Sequence, residues 1–271
     1  MTFVSKYKAK HPDTAGFIDY TAEENEIWAI LFERQLKIVQ NRACDEFIKG
    51  LDLLSMSANK IPQCPEMNQA FQHLTGWKVN PVEAIIPAEE FFTLLTNSIF
   101  PAAAFIRRRE ELDYLQEPDI FHEFFGHCPM LTDPVYADFM QKYGEIALNA
   151  NEQDRNYLAR LYWFTVEFGL IQTSKGLRVY GGGILSSKEE TIYSVESDKP
   201  IRKPLADGLD ALRTPYRIDI LQPIYYVIDS YQNIYDIMQN DILGLIHKAQ
   251  DLGDFEPLFD SPEQDQTTVK C

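Results

Sequence analysis

The chain has 271 residues, 45% of them hydrophobic and 13% aromatic, enough to bury a sizeable core in one large or two small globular units. Its 25 Lys+Arg stand against 41 Asp+Glu, a formal net charge of −16 that repels phosphate backbones and anionic membranes, so no nucleic acid partner is expected. No apolar run reaches the roughly 18–20 residues that span a bilayer, so no membrane association is expected, and "MTFVSKYKAKHPDTAG" at the start lacks the apolar core of a signal peptide. A cytoplasmic location follows as the default. Cys44, Cys64, Cys128 and Cys271 are scattered, without a C-x-x-C pair, and read as free thiols in a reducing compartment.

Residues 1–20 read as an irregular N-terminal arm. Thr21 and Glu24 then form a capping box ahead of "IWAILFERQLKIVQ", whose Ile27, Ile30, Leu31 and Ile38 follow one helical face. "PEMNQAFQHLTGW" predicts a shorter helix, with Pro65 near its start and Gly76 past its end. "PAEEFFTLLTNS" predicts another, opened by Pro87 and two early glutamates suited to a helix N-terminus. "DPVYADFMQKYGEIALNA" and "NEQDRNYLARLYWFTVEFGLIQTS" are the strongest helical stretches, the second apolar nearly all round in its latter half and so expected to be deeply buried there. "LRVYGGGILSS" and "RIDILQPIYYVID" are β-branched and aromatic with Gly or Pro punctuation, and suggest a few short strands. "DSYQNIYDIMQNDILGLIHKAQ" predicts a closing helix, and "SPEQDQTTVKC" a polar, frayed end. With no internal repeat and no linker, the expectation is one mostly α domain over residues 21–257, its little sheet late in the chain, followed by a polar C-terminal tail at 258–271.

"PDIFHEFFGHCPML" carries the chemistry. It places His122 and His127 five apart, whereas the H-E-x-x-H of zinc proteases places them four apart. At about 100° per residue, five steps on a straight helix separate two rings by about 140°. The rings converge only where the helix widens or ends, which Gly126 and Pro129 permit. Two histidines in an aromatic-rich helix are equally compatible with satisfied core residues. "LYWFTVEFGLI" adds a second feature: Glu167 stands inside an apolar and aromatic run, and a buried carboxylate needs a cation or a raised pKa. A distant Lys or Arg would serve, as would a metal. Two histidines and one carboxylate are the facial set of non-haem Fe(II) oxygenases, and zinc hydrolases use a similar one. Cys128, beside His127, is a further candidate ligand, although Pro129 follows it and no second cysteine is near.

"PDIFHEFFGHCPML", "YWFTVEFGL" and "YGGGILSS" resemble, in order and spacing, the catalytic domain of the tetrahydropterin-dependent aromatic amino acid hydroxylases. The resemblance runs from about Gly16 to about Tyr235, and "FIRRREELDYLQEPDIFHE" is similar to the bacterial phenylalanine 4-monooxygenases. It implies a basket of helices around one iron with a few short strands, no regulatory domain and no tetramerisation helix, hence a monomer or homodimer. The implied reaction converts L-phenylalanine to L-tyrosine with O2 and a tetrahydropterin at a non-haem Fe(II).

By the same resemblance His122, His127 and Glu167 hold the iron. Glu123 faces the pterin side, and Phe91 stacks on the pterin ring. Arg107 clamps the substrate carboxylate and Asp119 braces it, while a helix N-cap is the plainer role for Asp119. Pro118 and Trp163 wall the aromatic slot, Tyr162 stands near the iron, and Gly183 and Ser186 lie on a substrate-side strand. The animal phenylalanine enzymes carry a threonine where this chain has Leu115, so one polar contact to the substrate is absent or replaced. A tryptophan hydroxylase of the same family needs a wider slot. A zinc hydrolase on the same ligands needs neither pterin nor O2.

Overall fold

The computed structural model describes residues 6–83, 86–115 and 117–260. The helices are α1 (Ala22–Ile38), α2 (Asp45–Leu53), α3 (Cys64–Gln72), α4 (Ala88–Thr96), α5 (Pro134–Asn149), α6 (Glu152–Tyr162), α7 (Gly182–Leu185), α8 (Lys188–Glu196), α9 (Leu209–Arg213), α10 (Tyr231–Gln239) and α11 (Ile242–Leu252). The strands are β1 (Lys78–Val82), β2 (Ile99–Ala103), β3 (Leu170–Thr173), β4 (Gly176–Val179), β5 (Ile201–Pro204) and β6 (Ile224–Ile228). Two short π-helical turns, His122–His127 and Trp163–Glu167, interrupt this framework.

Several boundaries follow directly from local chemistry. The Thr21 hydroxyl accepts from the Glu24 amide and the Glu24 carboxylate accepts from the Thr21 amide, so α1 starts at the expected capping box. Pro87 caps α4, Asp133 caps α5 through the Tyr136 amide, and Asn151 caps α6 through the Asp154 amide. Of the expected arm, residues 6–20 are irregular, yet Tyr7 stacks on Phe105 at 4.4 Å and Ile18 and Tyr20 are buried.

Other expectations are corrected. The helix expected over 151–174 stops earlier: α6 gives way to a π turn and then to β3. An apolar run does not tell a buried helix from a buried strand. Here Leu170 pairs with Val179 on one side and Val227 on the other, and that pairing wins. The single closing helix is two, because Asn240 is extended and the Asp241 carboxylate caps a new start at the Gly244 amide. Sheet is not confined to the late chain: β1 and β2 form a parallel pair, Lys78 opposite Ile99. The four-stranded sheet has the order β4-β3-β6-β5, antiparallel at β3/β4 and parallel elsewhere.

The core is strongly aromatic where it touches the first π turn. Phe121 and Phe125 stack at 5.0 Å, Trp28 of α1 meets Phe121 edge-on at 5.6 Å, and Phe32 and Phe47 each meet Phe125 at 5.5 Å. These rings lock one face of the turn into the helical basket and leave His122 and His127 on the other. β2 leads directly into the segment ending at Arg107, and β3 begins three residues after Glu167.

A convergent donor set below an aromatic cleft

The five-residue spacing is resolved by the turn itself. The Cys128 amide donates to the Glu123 carbonyl at 3.2 Å, an i→i+5 bond that stacks residue i+5 over residue i as an ordinary helix stacks i+4. His122 Nε2 and His127 Nε2 therefore lie 3.0 Å apart. The second π turn is closed by the Phe168 amide on the Trp163 carbonyl at 2.8 Å and delivers Glu167 to the same point. Glu167 Oε1 is 3.3 Å from His127 Nε2, and Oε2 is 3.6 Å from His122 Nε2. Donors on one cation at about 2.1 Å lie about 3.0 Å apart at right angles and about 3.4 Å apart tetrahedrally, so this set fits a single metal ion.

Glu123 is a second carboxylate in reach: a ligand atom from each of His122, Glu123 and His127 lies within 4.8 Å of the others. Electrostatics separates the two acids. Burial pushes the Glu167 carboxyl up, but His127 and His122 together with hydrogen bonds from His127 and the Gly183 amide outweigh it and hold it at about 2. Burial, then the charges of Glu167 and Asp119, raise Glu123 well above the ordinary carboxylate range. Glu167 is thus the anion of the pair and the better ligand. Burial drives the His122 ring down to about 4, leaving a neutral imidazole. Its tautomer is set by Ser186, whose hydroxyl donates to the Gly182 carbonyl at 2.8 Å and so accepts from His122 Nδ1 at 3.0 Å, freeing the Nε2 lone pair. His127 Nδ1 is buried and meets no partner among the described residues. Cys128 is fully buried, and burial keeps its thiol protonated; it is not part of the donor group.

The glycines of "YGGGILSS" sit against these ligands. A Cβ on Gly182 would lie 2.4 Å from the His127 ring, and one on Gly183 would lie 3.0 Å from Glu167 Oε2. A Cβ on Gly126 would strike the Gly182 carbonyl at 2.6 Å. The segment expected as a substrate-side strand is therefore corrected: Gly182–Leu185 is one short helix, wound so that its backbone reaches the donors, and Gly183 and Ser186 touch Glu167 and His122.

Above the donors opens a cleft of about 430 Å³, lined among others by Phe91, Pro118, Glu123, Tyr162, Trp163 and Glu167. Phe91 and Phe92 both line the cleft, Phe91 edge-on to Tyr162 at 6.0 Å and Phe92 edge-on to Tyr143 at 6.1 Å. Trp163 lies between Phe168 at 4.3 Å and Tyr216 at 4.6 Å. Tyr216 was not recognisable from the sequence; it comes from a loop after α9, and no periodicity marks it.

Arg107 and Asp119 are not among the residues lining the cleft, which Pro118 beside them does line; they form a buried bidentate pair, Nε to Oδ2 at 2.8 Å and Nη2 to Oδ1 at 2.9 Å. Asp119 also accepts from the Arg107 amide at 2.9 Å and the His122 amide at 3.1 Å, so it braces the arginine and caps the ligand turn at once. Leu115 is half-buried beside an exposed Tyr114. Among the described residues no helix is long and apolar enough to cross a membrane.

Comparison with known proteins agrees with this geometry. The family described as biopterin-dependent aromatic amino acid hydroxylase matches residues 2–251. A phenylalanine-4-hydroxylase of Pseudomonas aeruginosa is 51% identical over 255 residues, covering 94% of this chain and 97% of that protein. One from Vibrio cholerae is 48% identical over 261 residues, covering 96% and 90%. The phenylalanine hydroxylase structure from Legionella pneumophila aligns with a TM-score of 0.91 at 57% identity, over 93% of this chain and 100% of that one. That of Chromobacterium violaceum with bound oxidized Fe(III) aligns with a TM-score of 0.85 at 40% identity, over 93% and 94%. By two π turns that bring donors to one point, and by likeness along almost its whole length, the chain belongs to the biopterin-dependent aromatic amino acid hydroxylases.

Proposed function

We propose that this chain hydroxylates L-phenylalanine to L-tyrosine, using O2 and a tetrahydropterin at one Fe(II) held by His122, His127 and Glu167. The observation that carries the reading is the meeting of two imidazole nitrogens and one anionic carboxylate, 3.0–3.6 Å apart, at the floor of an aromatic cleft. Iron, pterin and O2 together supply what side chains lack, the two-electron activation of oxygen that delivers one atom to an aromatic ring.

The chain's own residues bind, orient and exclude water. Asp119 occupies Nε and one face of Nη2 of Arg107, which turns the outer edge of the guanidinium toward a substrate carboxylate. Trp163 and Pro118 wall a flat slot for the substrate ring. Phe91 would stack on a bound pterin, Glu123 would offer it a carboxyl group, and Tyr162, which lines the same cleft, would stand near the iron. Gly183 admits the backbone close to Glu167, and Ser186 holds His122 in the tautomer that a metal ligand requires. The apolar lining keeps bulk water from the reacting centre. The catalytic domain spans residues 21–257, with an arm before it and a polar tail after it, in a cytoplasmic monomer or homodimer.

The test is tyrosine formation from phenylalanine with tetrahydropterin, with and without Fe(II), in aerobic and anaerobic buffer. Product is expected only with all of them present. Activity with zinc alone, or indole hydroxylation at equal or greater efficiency, overturns the reading.

A further inference from the structure

We infer that Gln222 is the positioning residue that fixes the in-plane orientation of Trp163, and through it the fit of the slot to a single aromatic ring; this rests on the hydroxylase reading above. Stacking alone does not do this. Trp163 is held between Phe168 (29° between planes) and Tyr216 (17°), and a stacked ring resists tilting but slides and turns in its own plane. Among the described residues, the one directional contact on the indole is its Nε1–H, which donates to Gln222 Oε1 at 3.0 Å.

Gln222 is itself over-determined. It is 1% exposed, and its Nε2 donates to the Arg217 carbonyl at 2.8 Å and the Ile220 carbonyl at 2.9 Å, so the amide cannot flip without facing two carbonyls with its oxygen. Its own amide N–H donates to Glu190 Oε1 at 3.0 Å, and Glu190, 5% exposed, also accepts from the Tyr225 hydroxyl. Glu190 lies in α8, capped by Ser187, the neighbour of the Ser186 that sets the His122 tautomer. One short segment therefore supports the metal end of the cleft directly and the aromatic wall through Gln222. A buried amide with every polar atom used and its oxygen aimed at the cleft wall is costly to assemble and specifies one indole pose.

The experiment uses full-length, metal-free protein labelled with 5-fluorotryptophan, and the same variants loaded with Fe(II) for kinetics. The chain has three tryptophans, and buried Trp28 and Trp77 serve as internal references for folding. The Trp163 resonance is assigned by its loss in Trp163→Phe. In Gln222→Leu that resonance is expected to shift and broaden while the other two stay. KM for phenylalanine should rise about tenfold, the scale of one lost buried hydrogen bond, with kcat within about twofold. The preference for phenylalanine over tryptophan should fall, and in a Trp163→Phe background Gln222→Leu should have no further effect on either quantity. An unmoved Trp163 resonance, or an equal KM change in both backgrounds, overturns the inference. Should Trp28 and Trp77 move as well, Gln222→Met, which keeps length and volume, is judged by the same criteria. A wild-type protein that hydroxylates no aromatic amino acid refutes the hydroxylase reading, and the fluorine resonances still decide the positioning role.

Discussion

The two π turns solve the same problem in different ways. His122–His127 supplies two donors from one turn, is anchored at its start by Asp119, and is keyed into the basket by Phe121 and Phe125. Trp163–Glu167 supplies one donor and, four residues earlier, a wall of the cleft; it continues α6 and runs at once into β3. The first is a clamp of two donors with an anchor. The second joins the donor set to the aromatic cleft wall, so a disturbance there reaches both. In each, one extra residue per turn turns a side chain onto a face that a regular helix would deny it.

Breaking the second turn at its donor is expected to have the largest effect. Glu167→Ala removes the carboxylate that, among the described residues, is ion-paired with both Nε2 atoms, and iron content measured by metal analysis should fall to background. Undoing the anchor of the first turn comes next. Asp119→Ala leaves the buried Arg107 guanidinium without its partner, a loss of about 3–5 kcal/mol readable from denaturant unfolding, with a raised KM for phenylalanine. Ser186→Ala spares both turns and removes only the contact to His122 Nδ1, so Fe(II) affinity should weaken roughly 10- to 100-fold in a metal titration while the fold persists.

The smallest expected effect is on pH dependence. In chelated protein the folded His122 titrates near 4, against 6.5 for an ordinary histidine, so the folded state binds fewer protons between these values and stability rises with pH across that window. The thermal midpoint should fall as pH drops from about 6.5 to about 4, and His122→Gln should flatten that fall. An unchanged slope would mean that the ring is less isolated from water than its surroundings indicate.

Much of the site was legible because its signals are local. An off-register histidine pair and a carboxylate stranded in an apolar run both violate ordinary patterning, and both proved to lie in the π turns. Helix starts were equally legible at Thr21, Pro87, Asp133 and Asn151, where caps and prolines act within one turn. The β3 strand was not, since an apolar stretch is the same signal for a buried strand as for a buried helix. Nor was the parallel β1–β2 pair, whose partners are separated by α4 in the chain. The glycines of "YGGGILSS" were noticed, but their partners were not foreseeable, because the rings and carbonyls they admit belong to other elements.

The sequence by itself determined the donor types, their order and the need for a distorted helix, because these follow from residue chemistry and from the 100° step of an α-helix. Only the tertiary structure decided which of two carboxylates is the anion, that Ser186 sets a histidine tautomer, that Asp119 is both brace and cap, and that Tyr216 stacks on Trp163 while Gln222 accepts from its indole N–H. Each depends on which groups burial brings together, and burial is a property of the packed chain, not of any segment.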